Sequence, residues 1–471
     1  MTIETLQTKL DNFETTSVEL VKTYLNRIQQ FDTSLNSLAD INHEALIIAE
    51  QLDLERKTTG KRSLLHGIPI VVKDNILTHD TMRTTANSYA LRNFYAPFDA
   101  TIINKLRAAG AIILAKANCS EFAYFMAMGE MPSGYGSMHG QVKHPYNTKI
   151  DPLGSSTGSA VAVAADLAVA SIGTETNGSL VSPATQNSVV TIKPTLGLVS
   201  RFGIIPITLT QDTAGPMTKT VKDAAIMLDI INGSDDFDSA TKRIPHSQSS
   251  YLAACNEKIT NKRIGMLTLS NYKNSEEENA IFQEAKDVLK KQGAEIITLD
   301  FTYKLENNLK TLIPEFKRDI NAFLASVKPH CEMQTLKDII DFNQTHNKRC
   351  LKYGQSIFLA AQATDGRLKD SDYLNAKLAL GKDVEQFLNL FEKHNLDAII
   401  TPKITGYPPI GGLPVISVPA KPLTDETPKN LQFIGKAFTE HTLLGIAHSY
   451  ECATNHRINP NLSQHKIDNA N

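Results

Sequence analysis

Two turns rich in small hydroxylic residues, "PLGSSTGS" (152–159) and "GTETNGSL" (173–180), flank a run made almost wholly of alanine and valine. Ser179 follows an Asn177-Gly178 turn, which presents its hydroxyl on a nest of backbone N–H groups able to hold an oxyanion. A serine attacks a carbonyl only when a base takes its proton. A lysine can be that base only when desolvation or neighbouring dipoles keep it neutral. Lys73 closes the apolar run of "GIPIVVK" and suits that role, while Lys116 in "ILAKAN" is an equal rival on position alone. A plainer account pairs Lys73 with a carboxylate such as Asp74 and treats the Ser/Gly turns, with Ser155 and Ser156, as loops or helix caps. The "GSSTGS" turn lacks the Gly-Lys-Ser/Thr ending of a phosphate loop. Phe122, Phe125 and Met126, in "NCSEFAYFMAMGEM", are candidates either for a substrate pocket or for plain core.

The elements that must position these residues follow α/β grammar. Thr16 with Glu19 forms a capping-box signature ahead of Val21, Tyr24, Leu25 and Ile28 at helical spacing. Ile68, Ile70, Val71 and Val72 form a near-continuous apolar run, as in a strand buried on both faces. "DATIINKLRAAGAIILAKAN" predicts a helix capped by Asp99 and closed by Gly110, then a strand over 111–115. The Ala/Val run predicts a buried helix, "AVASIGTE" a buried strand, and "VKDAAIMLDIING" a helix ending at Gly233. The polar stretch "SDDFDSATKRIPHSQSSY" is the strongest boundary signal. Beyond it come a strand-helix-strand unit ("KRIGMLTL", a charged helix over 275–292, "AEIITLDF") and polar-faced helices over 305–394. Three strands ("LDAIITP", "GLPVISVPA", "NLQFIGKAF") and a closing helix capped by Thr439 complete the chain. The alternation predicts one large α/β domain around a mixed sheet.

Composition narrows the function. With 41% hydrophobic residues in 471, the chain can bury a large core, and a net charge of -2 with dispersed Lys and Arg argues against nucleic-acid or anionic-membrane capture. Five scattered cysteines (Cys119, Cys255, Cys331, Cys350, Cys452) give neither a disulfide framework nor a zinc pattern. The start lacks a secretory pattern, and the run from Ala160 to Ile172, broken by Asp166, is too short to span a bilayer, so a cytoplasmic protein is expected.

The segment from about Thr16 to Gly233 resembles the amidase signature family, through five motifs in order: "GIPIVVKDN", "LRAAGAIILAKANCSEFA", "GSSTGSAVAVAADLAVASIGTETNGSLVSPA", "IKPTLGLVSRFGIIP" and "QDTAGPMTKTVKDAA". A weaker match extends to Glu451, and "GTETNGSLVSPA" with "SRFGIIPITLTQDTAGPM" looks closest to the peptide amidase branch. The resemblance implies an amidase signature fold, a large mixed β-sheet core surrounded by helices, as a single domain over 1–471. Its catalytic signature core would span 60–233, a more variable helical part 234–395, and C-terminal strands with a closing helix 396–452. It implies Ser179 as nucleophile, Lys73 as base and, 24 residues before the nucleophile, a bridging serine after a cis peptide bond, which falls on Ser155. Backbone N–H groups of Thr176, Asn177 and Gly178, with Ser179, would form the oxyanion hole, and Phe125 and Met126 would line the pocket. The implied reaction is hydrolysis of a small amide or short peptide amide through an acyl-enzyme, without metal or cofactor, by a monomer or homodimer. Leu153-Gly154, Asn177-Gly178-Ser179 and Val181 stand where the family usually has Gly-Gly, Gly-Gly-Ser and arginine. Two alternatives are an amidotransferase A-type subunit, which usually carries "SSLDQ" where "TLTQDTAGP" stands, and a non-catalytic binding protein on the same fold.

Overall fold

The computed structural model describes residues 1–245, 249–305, 308–421 and 427–463. The first strands are β1 (Leu38–Ile41), β2 (Pro69–Lys73), β3 (Ile112–Ala117), the two-residue β4 (Tyr135–Gly136) and β5 (Gly140–Gln141), then β6 (Ala170–Glu175), β7 (Val190–Lys193) and β8 (Thr213–Thr218). They continue as β9 (Arg263–Leu269), β10 (Glu295–Phe301), β11 (Ala398–Thr401), β12 (Val415–Lys421) and β13 (Lys429–Ile434). Eleven of them form one mixed sheet in the order β1-β3-β2-β6-β8-β7-β12-β13-β11-β9-β10, while β4 and β5 pair separately. Both β2 and β6 are buried at every residue, as their unbroken apolar runs predict.

The neighbours β3, β2 and β6 run parallel, with Val72 in register with Ile172. Their carboxyl ends therefore share one edge of the sheet. Lys73 ends β2 there, and the turn carrying Ser179 leaves β6 at the same edge. Crevices at the carboxyl ends of parallel strands are the usual ligand sites of α/β sheets.

The Ala/Val run is the helix Thr157–Ala164, all eight of whose residues are buried, packed on β2, β6 and β8. It starts immediately after Ser155 and Ser156. Gly158 makes that fit possible, since a Cβ there would stand 2.2 Å from the Ser37 carbonyl oxygen and 2.4 Å from that of Asn118. Gly158→Ala is expected to lower stability by about 2–3 kcal/mol, because the clash is with backbone that cannot swing aside; the urea midpoint measures it.

Several local expectations hold and others are corrected. Thr16 and Glu19 form the reciprocal capping box of the helix Ser17–Leu35. Asp99 is not a cap: the helix Thr101–Ala108 begins after Ala100, and the Asp99 carboxylate instead accepts from the His79 N–H (2.6 Å) and Arg107 Nε (3.0 Å). Thr439 does occupy the N-cap position of the closing helix, but its hydroxyl donates to the Lys436 carbonyl rather than capping a helical N–H. β3 runs two residues past the expected 115, carrying Lys116 into the sheet. The polar stretch after Gly233 does not divide the sheet, since β9 pairs with β11 on the same sheet as β2 and β6; residues 246–248 of that stretch lie outside the described residues. Among the described residues no helix is long and apolar enough to cross a membrane.

Candidate active site

Lys73 is wholly buried, yet its amine has only uncharged partners among the described residues: Ser155 Oγ at 2.8 Å, Thr174 Oγ1 at 2.9 Å, Ser156 Oγ at 3.1 Å and the Thr174 carbonyl at 3.3 Å. The alternative pairing with Asp74 is not made. That carboxylate is occupied by the Thr85 hydroxyl and by the N–H groups of Thr85 (3.1 Å) and Asn87 (3.2 Å). Burial, opposed by the more distant Cys119, Asp212 and Glu175, pushes the Lys73 amine down to about 8. The rival Lys116 is equally buried, but its amine donates to the Ile76 carbonyl and to Thr84 Oγ1 (2.9 Å), away from the serines.

The two adjacent serines are distinguished by their partners. Ser156 Oγ donates to the Thr174 carbonyl (2.9 Å) and accepts from the Thr174 N–H (3.1 Å), which commits its proton to the strand β6. Ser155 follows a cis peptide bond from Gly154, and Lys73 is the one partner of its hydroxyl among the described residues. Its proton is therefore free to move. The Ser156 N–H donates to the Ser179 carbonyl (3.1 Å), which joins the two turns directly.

The turn after β6 is held from both sides. Glu175 Oε2 accepts from the N–H groups of Leu180 (2.8 Å) and Val181 (3.1 Å). Across the turn, Thr176 Oγ1 donates to Asp212 Oδ1 (2.5 Å) and Gln211 Nε2 donates to the Thr176 carbonyl (3.1 Å). Asp212 Oδ2 also accepts from Ile207 N–H (2.8 Å) and Thr208 N–H (3.0 Å), and burial raises its carboxyl to about 7. Gly178 takes φ +84° to close the turn, a conformation side chains rarely adopt. Among the described residues, the backbone N–H groups of Thr176, Asn177, Gly178 and Ser179 donate to no protein acceptor. Residue types and spacing did not single out Glu175, Gln211 and Asp212, which support this turn. The sequence signal is only that Glu175 stands in the third of the five motifs and that Gln211 and Asp212 open the fifth.

A cavity of about 500 Å³ opens onto this edge, lined by Thr176, Asn177, Ser179, Gly154, Tyr124 and Phe125 among others. Ser179 reaches it while Lys73 and Ser155 lie sealed behind, at 0% exposure. Among the described residues lining it there is no Asp, Glu, Lys, Arg or His. Phe125 is a wall of this cavity, but Met126 and Phe122 are not. Met126 is buried, with its carbonyl accepting from the Ile357 N–H (3.1 Å), and Phe122 packs edge-on against Phe358. The cause is the left-handed backbone of Phe122, Ala123 and Tyr124, which breaks the spacing that a regular helix would give these side chains. A larger cavity, about 830 Å³, lies by the C-terminal end of the helix Thr157–Ala164 among Arg27, Asp166, Lys219 and Arg457, and none of the expected site residues lines it.

Comparison with known proteins gives a consistent result. The family model described as Amidase matches residues 19–413. An Arabidopsis thaliana protein described as a probable amidase is 36% identical over 475 residues, covering 96% of this chain and 90% of its own length. The A-type subunit of glutamyl-tRNA(Gln) amidotransferase from Thermoanaerobacter pseudethanolicus is 33% identical over 492 residues, with 98% of each chain covered. Among solved structures, native peptide amidase from Stenotrophomonas maltophilia superposes with a TM-score of 0.92 at 35% identity, again over 98% of both chains.

Proposed function

Because this chain belongs to the amidase family and is thereby an amidohydrolase acting on C–N bonds, we propose that it cleaves uncharged carboxamides, peptide amides foremost, through an acyl-enzyme on Ser179. The observation that carries this reading is the buried Lys73 amine 2.8 Å from Ser155 Oγ, with no carboxylate hydrogen-bonded to it among the described residues, at the sheet edge where Ser179 enters the cavity.

In this mechanism Ser179 Oγ attacks the amide carbonyl, its proton passes to Ser155, and the proton of Ser155 passes to neutral Lys73. The N–H groups of Thr176, Asn177, Gly178 and Ser179 receive the developing oxyanion. Preorganised donors of this kind contribute about 3 kcal/mol each to the transition state. The proton returns through Ser155 to the leaving nitrogen, the C–N bond breaks and ammonia departs. Water then attacks the acyl-Ser179 ester by the same relay and releases the carboxylate. Every step is a proton transfer or an acyl transfer among Ser179, Ser155, Lys73, the substrate and water.

The cavity supports an uncharged substrate. Its described walls hold no counter-charge for an ammonium or a carboxylate, which disfavours a charged substrate there. The relatedness to amidotransferase subunits supports a second reading, ammonia release from glutamine for a partner enzyme. Glutamine carries both charges, which favours the first. The proposal further holds that the protein acts in the cytoplasm, alone or as a homodimer, without nucleic acid; the five free thiols fit a reducing compartment.

Ammonia release from a panel of N-acetylated amino-acid amides, peptide amides, free amino-acid amides, aryl amides and glutamine tests the reading. The expected result is fastest release from the acetylated and peptide amides, with glutamine the poorest substrate. Release from glutamine alone would transfer the assignment to the amidotransferase reading, and no release from any member would overturn both.

A further inference from the structure

Asn177 is the exposed residue of the turn after β6, and it lines the cavity beside Ser179. Neither polar atom of its carboxamide has a hydrogen-bond partner among the described residues. The surrounding turn is held through Glu175 on one side and Gln211 and Asp212 on the other. The turn therefore does not need this side chain to hold its shape. Its φ is also not among the left-handed ones, so any L residue fits the backbone there. A carboxamide offers one acceptor and two donors in a plane, which matches the N–H and C=O of a peptide unit.

We propose that the Asn177 side chain is a specificity determinant, which hydrogen-bonds a second amide group of the substrate next to the carboxamide being cleaved. This deepens the function proposed above and rests on Ser179 as its nucleophile. The described walls carry no charged side chain, so a neutral amide is the group such a side chain meets, whereas a substrate without a second amide offers it nothing. A free α-ammonium in that place meets the carboxamide's oxygen but no full charge.

Steady-state kinetics on three substrates with one side chain tests this: N-acetyl-leucinamide with the second amide, 4-methylpentanamide without it, and leucinamide with a free ammonium. In Asn177→Ala, the kcat/KM ratio of N-acetyl-leucinamide to 4-methylpentanamide is expected to fall roughly five- to tenfold, as for one or two lost hydrogen bonds between neutral groups. In Asn177→Asp, the ratio of leucinamide to 4-methylpentanamide is expected to rise at least about tenfold, because the new carboxylate pairs the ammonium. A change by one common factor for all three substrates in Asn177→Ala, or an unaltered leucinamide ratio in Asn177→Asp, would overturn the inference and leave the nucleophile standing. A wild-type protein that hydrolyses none of the three would overturn the preference for peptide amides proposed above and this inference with it.

Discussion

Ser179→Ala is expected to lower kcat by at least about 10⁴-fold, as loss of a serine nucleophile does where only the oxyanion hole and binding remain. Its thermal unfolding should match that of the wild type. The physical reason is the division of labour within the turn. The Ser179 hydroxyl makes no hydrogen bond among the described residues and faces the cavity, whereas its backbone carbonyl accepts from the Ser156 N–H at 3.1 Å. Alanine keeps the carbonyl and the N–H groups of the turn and deletes only the oxygen proposed to attack. Ammonia release and calorimetry on the same preparation decide the matter. Retained turnover would remove Ser179 from the mechanism, and a lowered unfolding temperature would show that the hydroxyl has a structural role the hydrogen bonds do not reveal.

The second large effect concerns Lys73. Its amine is pushed by burial from an ordinary value of 10.5 down to about 8. Below that value the amine is protonated and cannot accept a proton, so the rate should decline as the pH falls through it; above it the amine is neutral and the rate should level off. Of its charged or titratable neighbours, Asp212 has its carboxyl raised to about 7 and Cys119 has its thiol raised to about 12. Both oppose the shift rather than cause it. Lys73→Met keeps the length and apolar stem of the side chain and removes the amine proposed as the base. It is expected to cost several orders of magnitude in kcat, by analogy with loss of other catalytic bases, where the cost is about 10⁴-fold or more. The residual activity should have lost the acid limb near 8. A Lys73→Met enzyme that keeps the wild-type pH profile would assign that limb to another group.

Much of the scaffold was legible along the chain because it depends on short-range pattern. The unbroken apolar runs of β2 and β6 required burial on both faces, the Thr16/Glu19 pair announced its helix, and the Ala/Val run could only be a helix or strand closely packed on all sides. The serine-bearing turns and the lysine at a strand end could likewise be named as residues capable of chemistry, since a hydroxyl on a tight turn and an amine at the end of an apolar strand are local features. Asp99 and Thr439 show the limit even at this range. Each stands at or near a helix start as expected, but longer-range or competing partners, Arg107 and His79 for the first and the Lys436 carbonyl for the second, take the oxygen.

Tertiary structure alone decided which of these groups meet. Lys73 ends β2 and Lys116 stands one residue before the end of the neighbouring β3, in nearly identical apolar settings; the pairing puts Lys116 opposite Val72 rather than Lys73, and one amine meets the serines while the other meets the Ile76 carbonyl. Ser155 and Ser156 are adjacent and chemically the same, but only Ser156 lies against the backbone of Thr174, which ties up its proton. Phe125 and Met126 differ in role because three left-handed residues before them set which side chain faces the cavity. The turn after β6 depends on Gln211 and Asp212, more than thirty residues away in sequence. Local sequence determines which residues could do chemistry, because conformational preference and burial pattern act over a few residues; hydrogen bonds between distant segments determine which of them can, because direction and proton ownership exist only once the strands are paired.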